Sequence, residues 1–237
     1  MESDLDIILI HGLNNTATSF KPFKRALEDQ GWKVHIFSLA GHRKLDNSLS
    51  MDSSVNYLVK QFKKLDQKKK YNCIGFSQGA LTLQLLPHDI KSMIHKQVLL
   101  SPALSIRQCS ILQKIVDVLP KRLMIFSFAP RSLRKFSWLS VSYFDLLFKQ
   151  LINFKDIITV ESHIPSLIIV DSKDELVDVD TLRRLVKTQP NWKFYLIDRS
   201  YLKFIHIGQY HVTFQPNYFT NEHWDNLILD ISAFFEP

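Results

Sequence analysis

The sequence predicts an α/β fold, an open and mostly parallel sheet of about six strands with helices on both faces. Three observations carry the prediction. Short, nearly continuous apolar runs recur along the chain, and they alternate with segments of helical period. The third is bulk: 237 residues, 46% hydrophobic and 22% charged, match an ordinary globular domain with one sizeable core.

The elements follow in order. "DIILI" (6–10) is too short and too apolar for a surface helix and reads as a first buried strand; "FKRALEDQ" then has helical spacing. "KVHIFSL" (33–39) is the second strand, and "VNYLVKQFKKL" the next helix. "YNCIGF" (71–76) and "KQVLLS" (96–101) are the third and fourth strands, while "SLIIVD" (166–171) and "KFYLID" (193–198) complete the six around the helix "VDTLRRLVKT". A terminal helix is marked by the stripe Trp224, Leu227, Ile228, Ile231, Phe234 and Phe235.

The alternation breaks between about 104 and 163, which reads as a helical cap inserted before the strand at 166–171 in one domain spanning 1–237. Ile111, Leu112, Ile115 and Leu119 form one stripe there, and Phe144, Leu147, Phe148 and Leu151 another. Phe126, Phe128, Phe136, Trp138, Tyr143, Phe144, Phe148 and Phe154 make the segment rich in aromatics, which either line an apolar pocket or pack the cap onto the body.

Composition narrows the classes. Two cysteines, Cys73 inside an apolar run and Cys109, make a disulfide framework unexpected. The acidic start "MESDLDIILIHG" lacks the basic, long apolar pattern of a secretory leader, and no apolar stretch approaches a membrane span, so a cytoplasmic location is expected. The net charge of +7, with clusters at "KKLDQKKK" and "RSLRK", fits solvated helix faces; an anionic membrane surface is the alternative partner, and no nucleic-acid motif is present.

The stretch "GFSQGA" (75–80) lies between a strand and a helix. Gly75 and Gly79 flank Ser77 two positions either side, as a sharp strand-to-helix reversal requires, and put Ser77 on the apex beyond the carboxyl end of a parallel strand. Chance produces this pattern often enough that the motif needs partners. "ILIHGLNN" supplies one: the amides of Leu13 and of Gln78 are candidates for two convergent donors to an oxyanion, with His11 a structural hydrogen-bonding residue. A serine nucleophile further needs a base and a carboxylate that orients it. The acids in "DSKDELVDVD" are Asp171, Asp174, Glu175 and Asp178; Asp171 belongs to the strand end and Asp178 to a helix cap, which favours Asp174 in the loop between. Among the histidines that follow, His223 falls in the first turn of the terminal helix. His211 in a loop is preferred, with His206 in an extended segment as its alternative.

With "HGL" at 11–13, "GFSQG" at 75–79, "DELV" at 174–177 and "HVTF" at 211–214 in that order, the chain resembles the α/β-hydrolase superfamily over essentially its whole length. It is most similar to the small bacterial carboxylesterases and monoacylglycerol lipases. The resemblance implies Ser77 as nucleophile, Asp174 as orienting acid, His211 as base, and the Leu13 and Gln78 amides as the oxyanion hole. It further implies a cap at 104–163 and a structural role for His42 in "AGHRKLD". The expected reaction is hydrolysis of a carboxylic ester through an acyl-enzyme on Ser77, which needs no metal or organic cofactor, and the aromatic-rich cap suggests an apolar acyl chain. Two departures are visible: the chain begins at what would be the family's third strand, and the stretch 199–210 before the histidine is long. The elbow also resembles that of acyl-protein thioesterases, so a thioesterase or peptidase with the same three residues is the alternative activity, and a non-catalytic binding protein the alternative of another class.

Overall fold

A computed structural model describes residues 5–42, 44–46, 48–127, 129–158, 162–202 and 208–236. In chain order the strands are β1 (Ile7–Ile10), β2 (Val34–Phe37), β3 (Tyr71–Phe76), β4 (Ile94–Leu100), β5 (Met124–Phe126), β6 (Trp138–Ser140), β7 (Ser166–Asp171) and β8 (Trp192–Ile197). Six of them pair in parallel in the order β2-β1-β3-β4-β7-β8, and their positions match the six apolar runs of the sequence within about two residues at either end. The remaining pair, β5 and β6, forms a separate antiparallel ribbon.

The helices are α1 (Lys21–Glu28), α2 (Met51–Phe62), α3 (Gln78–Gln84), α4 (His88–Lys91), α5 (Cys109–Val118), α6 (Val141–Ile157), α7 (Val179–Lys187) and α8 (Asn221–Phe235). Because successive strand residues face opposite ways, the run Ile7 to Ile10 feeds two cores at once. Ile7 and Leu9 pack with Phe23 and Leu27 of α1 and Leu227, Ile228 and Ile231 of α8. Ile8 and Ile10 pack on the other face with Leu58 and Phe62 of α2, Leu81 of α3, Leu151 and Phe154 of α6 and Leu182 of α7. Central strands buried on both faces have no polar side to show, which is why they read as unbroken apolar runs.

Helix boundaries have local causes. Ser50 and Ser53 form a reciprocal capping box ahead of α2, and the Asp178 carboxylate accepts from the Thr181 amide to cap α7. Thr220 does the same for α8 through the His223 amide.

The segment between β4 and β7 carries α5, the ribbon and α6, so it is not purely helical. Three-residue strands are too short to leave a period that competes with helix in the sequence. Of the first stripe, Ile111 and Ile115 do not face the body, and they and Leu112 stand exposed. Val116 instead packs with Val141 and Phe148 of α6 and with Ile125 of β5, while Leu119 is half-buried at the edge of that small cluster. The second stripe, on α6, does face inward. No helix among the described residues is long and apolar enough to cross a membrane.

Candidate active site

β3 ends at Phe76 and α3 begins at Gln78, leaving Ser77 alone to turn the chain, with φ of 51° and ψ of −117°. That is a left-handed backbone held by its surroundings. A Cβ on Gly75 would lie 2.6 Å from the Ala80 Cα, and one on Gly79 would lie 2.5 Å from the carbonyl oxygens of both Ile10 and His11. The helix therefore presses against β1 and its own strand closely enough that only glycine fits at either position.

Ser77 Oγ donates to His211 Nε2 at 3.0 Å, and His211 Nδ1 donates to Asp174, 3.1 Å from Oδ1 and 3.0 Å from Oδ2. Three of the sequence's candidates, separated by as much as 134 residues, are thus joined in one hydrogen-bonded chain. The bond to the carboxylate fixes the Nδ1–H tautomer and leaves the Nε2 lone pair facing the hydroxyl. Asp174 is fully buried and accepts two further bonds at Oδ1 from the amides of Leu176 (2.9 Å) and Val177 (2.8 Å). Burial is the largest influence on its carboxyl and pushes the pKa up. The charge and hydrogen bond of His211, with the two amides, outweigh it and hold the group below the usual carboxylate value.

The other acids have separate duties. Asp171 ends β7 and is ion-paired to Arg199, and Asp178 caps α7. Glu175 accepts from the backbone amides of Tyr210 (3.4 Å) and His211 (3.1 Å), so the residue beside Asp174 holds the main chain of the histidine that Asp174 holds by its ring. His223 is exposed at the start of α8, bonded to Thr220. His206 lies outside the described residues.

The loop after β1 is pinned by two buried imidazoles. His11 donates from Nδ1 to the Gly12 carbonyl and accepts at Nε2 from the Leu39 amide. His42 donates from Nδ1 to the Ala40 carbonyl and accepts at Nε2 from the Asn14 amide. Burial drives both rings towards the neutral form, aided for His11 by the charge of His42, and lowers the His11 pKa to about 3. Among the described residues neither the Leu13 nor the Gln78 amide donates to a protein group, and both residues adjoin Ser77, Leu13 across the cavity and Gln78 in sequence.

Asn14 ties this loop to the ribbon. Its Nδ2 donates to Ser127 Oγ (3.0 Å) and the Phe136 carbonyl (2.9 Å), and its Oδ1 accepts from the Phe136 amide (2.9 Å). Neither Asn14 nor Arg199 stood out in the sequence. An asparagine in a loop and an arginine after a strand carry no periodic signal, and only the positive φ of 57° at Asn14 echoes the residue type that tolerates it.

Ser77 and His211 open onto a cavity of about 330 Å³. Its wall is mostly apolar, with Ile106, Leu133, Leu139, Phe144, Leu147 and Phe148 from the inserted segment and Phe76 and Val177 from the body; Asn14, Asn15 and Ser127 are its polar points. Of the sequence's aromatics, Tyr143, Phe148 and Phe154 are buried, Phe126 and Trp138 are exposed, and Phe128 lies outside the described residues. A larger groove of about 500 Å³ runs between α4, the start of β4 and the end of α6, apart from Ser77, His211 and Asp174.

Comparison with known proteins agrees with the fold. The sequence model of a family described as the alpha/beta hydrolase fold matches residues 7–133. No curated protein sequence matches the chain. Among solved structures, a soluble variant of the monoglyceride lipase of Saccharomyces cerevisiae, in complex with a substrate analog, superposes with a TM-score of 0.75 at 12% identity, over 98% of this chain and 87% of that one. The monoacylglycerol lipase of Paleococcus ferrophilus gives 0.70 at 16% identity over 96% and 94%. Est1E from Butyrivibrio proteoclasticus gives 0.63 at 18% over 98% and 88%. At these identities the likeness is one of fold.

Proposed function

Because the chain belongs to the alpha/beta hydrolase fold family, we propose that it is a serine hydrolase that cleaves carboxylic esters with an apolar acyl chain. The observation that carries the reading is the hydrogen-bonded chain from Ser77 through His211 to Asp174 at the mouth of an apolar cavity. The lipase and esterase neighbours are in keeping with it. The whole chain acts as one domain with an inserted cap in this reading, since both core clusters share the one sheet.

In the proposed reaction the Ser77 hydroxyl attacks the ester carbonyl carbon while its proton passes to His211 Nε2. Asp174 stabilises the imidazolium that forms. The carbonyl oxygen, now an oxyanion, takes the Leu13 and Gln78 amides, each such donor being worth about 3 kcal/mol of barrier. Collapse expels the alcohol, which leaves with the proton from His211. Water, deprotonated by the same nitrogen, then attacks the acyl-enzyme and releases the acid and free Ser77. The apolar wall supplies binding for the acyl group; no step calls on a metal or an organic cofactor.

The test is a series of acyl esters of increasing chain length, assayed with wild type and Ser77→Ala, with labelling of Ser77 by a fluorophosphonate. Hydrolysis that depends on Ser77 and rises with acyl length supports the proposal. Faster turnover of matched thioesters or anilides would move the activity to the thioesterase or peptidase alternative. A folded protein that neither labels nor turns over would be a binding protein.

A further inference from the structure

We infer that the outward face of the inserted segment, formed by α5 and the β5–β6 ribbon, docks on an anionic lipid bilayer. Fourteen large apolar side chains stand exposed among the described residues, and eight of them fall between residues 111 and 138, about an eighth of the chain. Scattered exposed apolar residues need no explanation; a concentration of this kind does.

The two elements are apolar on both sides. In α5, Val116 packs towards α6. At about 100° per residue, Ile111, Ile115 and Val118 share an arc of about 60° on the opposite side. They are 56%, 48% and 82% exposed. In the ribbon, Ile125 and Leu139 face the body, whereas Met124, Phe126 and Trp138 alternate outward. Phe126 and Trp138 are direct cross-strand partners with ring centroids 5.3 Å apart, and the Arg134 guanidinium sits 5.0 Å from the Phe126 ring. A half-exposed tryptophan with arginine over its aromatic neighbour suits the boundary between headgroups and acyl chains, where one end of such a group is apolar and the other wet.

Charge selects the occupant. Residues 107–135 contain seven Lys or Arg and one Asp, which is nearly all of the net +7 of the chain. Lys114, Arg122 and Arg131 are exposed beside the apolar residues. A second copy of the chain on this face would set like charge against like, whereas anionic headgroups neutralise it while the side chains enter the acyl boundary. The face is also continuous with the cavity: Leu112 and Leu176 are both exposed and both line the space in front of Ser77. A lipid leaving the bilayer would meet apolar surface all the way to that serine.

The docking can be measured without any turnover. The full chain is floated with phosphatidylcholine vesicles with and without phosphatidylglycerol, alongside a triple variant Ile111→Ser, Ile115→Ser, Val118→Ser and a triple variant Lys114→Gln, Arg122→Gln, Arg131→Gln. None of these residues lines the cavity. Thermal unfolding and hydrolysis of a short soluble ester report the integrity of the variants, and failure of the esterase reading would leave flotation untouched. Wild type is expected to float with the anionic vesicles and to be released by salt. The apolar variant should partition about tenfold less or weaker still, and the charge variant about fivefold less for each cation removed. Absence of flotation on anionic vesicles, or variants that bind like wild type, would overturn the inference. So would concentration-dependent dimerisation that the apolar variant abolishes, since the face would then be an interface between copies.

Discussion

Arg199 and Asp171 meet at 2.7 Å with both side chains wholly excluded from solvent, and the same guanidinium donates to the carbonyls of Tyr210 and Val212, one on each side of His211. It also lies over the Phe219 ring at 4.7 Å. Burial pushes the Asp171 carboxyl up, against the pull of Arg199 and of the Lys173 amide. The strand end that leads into the Asp174 loop is thereby fastened to the main chain that carries the histidine.

Removing one member of such a pair strands a charge in the interior. Arg199→Ala is expected to lower unfolding free energy by about 3–5 kcal/mol in urea titrations. The double variant Arg199→Met, Asp171→Leu should recover part of that loss, because the stranded charge is gone. Turnover should stay depressed in the double variant, because nothing then holds the carbonyls beside His211. Equal recovery of both quantities would show that the pair serves stability alone.

Stability should fall in mild acid. His11 has an ordinary value of 6.5 and a folded value of about 3, so between these the unfolded chain binds a proton that the native ring refuses. Unfolding free energy therefore rises with pH across that window, and is lost at about 1.4 kcal/mol per unit as pH falls below 6.5. His42 is shifted in the same direction and adds to the slope. In His11→Gln the slope measured between pH 6.5 and 5 should shrink by about one proton's worth; an unchanged slope would refute the assignment.

The left-handed backbone at Ser77 predicts a trade between stability and chemistry. Ser77→Gly relieves the strain and should raise stability by about 1 kcal/mol, while Ser77→Ala retains it. Under the proposed function both variants lose turnover by about 10⁶. Calorimetry on the three proteins decides whether the elbow is strained as its φ implies.

Asn14→Ala deletes three hydrogen bonds to the ribbon and places alanine at a φ of 57°. A loss of about 2–4 kcal/mol is expected. Faster hydrogen exchange at the amides of Ser127 and Phe136 would locate the effect; exchange unchanged there would mean the ribbon is held by other contacts.

How legible all this is in the sequence depends on how each residue earns its place. The six sheet strands announce themselves because burial on both faces forces an apolar run, and Gly75 and Gly79 because a missing Cβ is a requirement of close approach. Asp174 and His211 were reachable by excluding acids and histidines committed to strand ends and helix starts. The stripe on α5 marks a helix that is there, but periodicity reveals that a helix has an apolar side without saying what lies against it. Arg199 was invisible for the opposite reason: a charged residue reads as surface until coordinates reveal the carboxylate and carbonyls that permit its burial. Glu175 reads in the sequence only as one more acid, and its service to two backbone amides has no sequence signature.

The Ser77–His211 contact spans 134 positions and is reinforced by Arg199 and Glu175 from two further loops. During synthesis the serine elbow emerges long before its imidazole exists, and the interval is spent building five more strands, of which β4, β7 and β8 join the sheet that must bring the two together. Under the proposed function a nascent chain carries an inert hydroxyl until the segment with His211 has been made and docked, so an esterase signal would double as a report that assembly has finished.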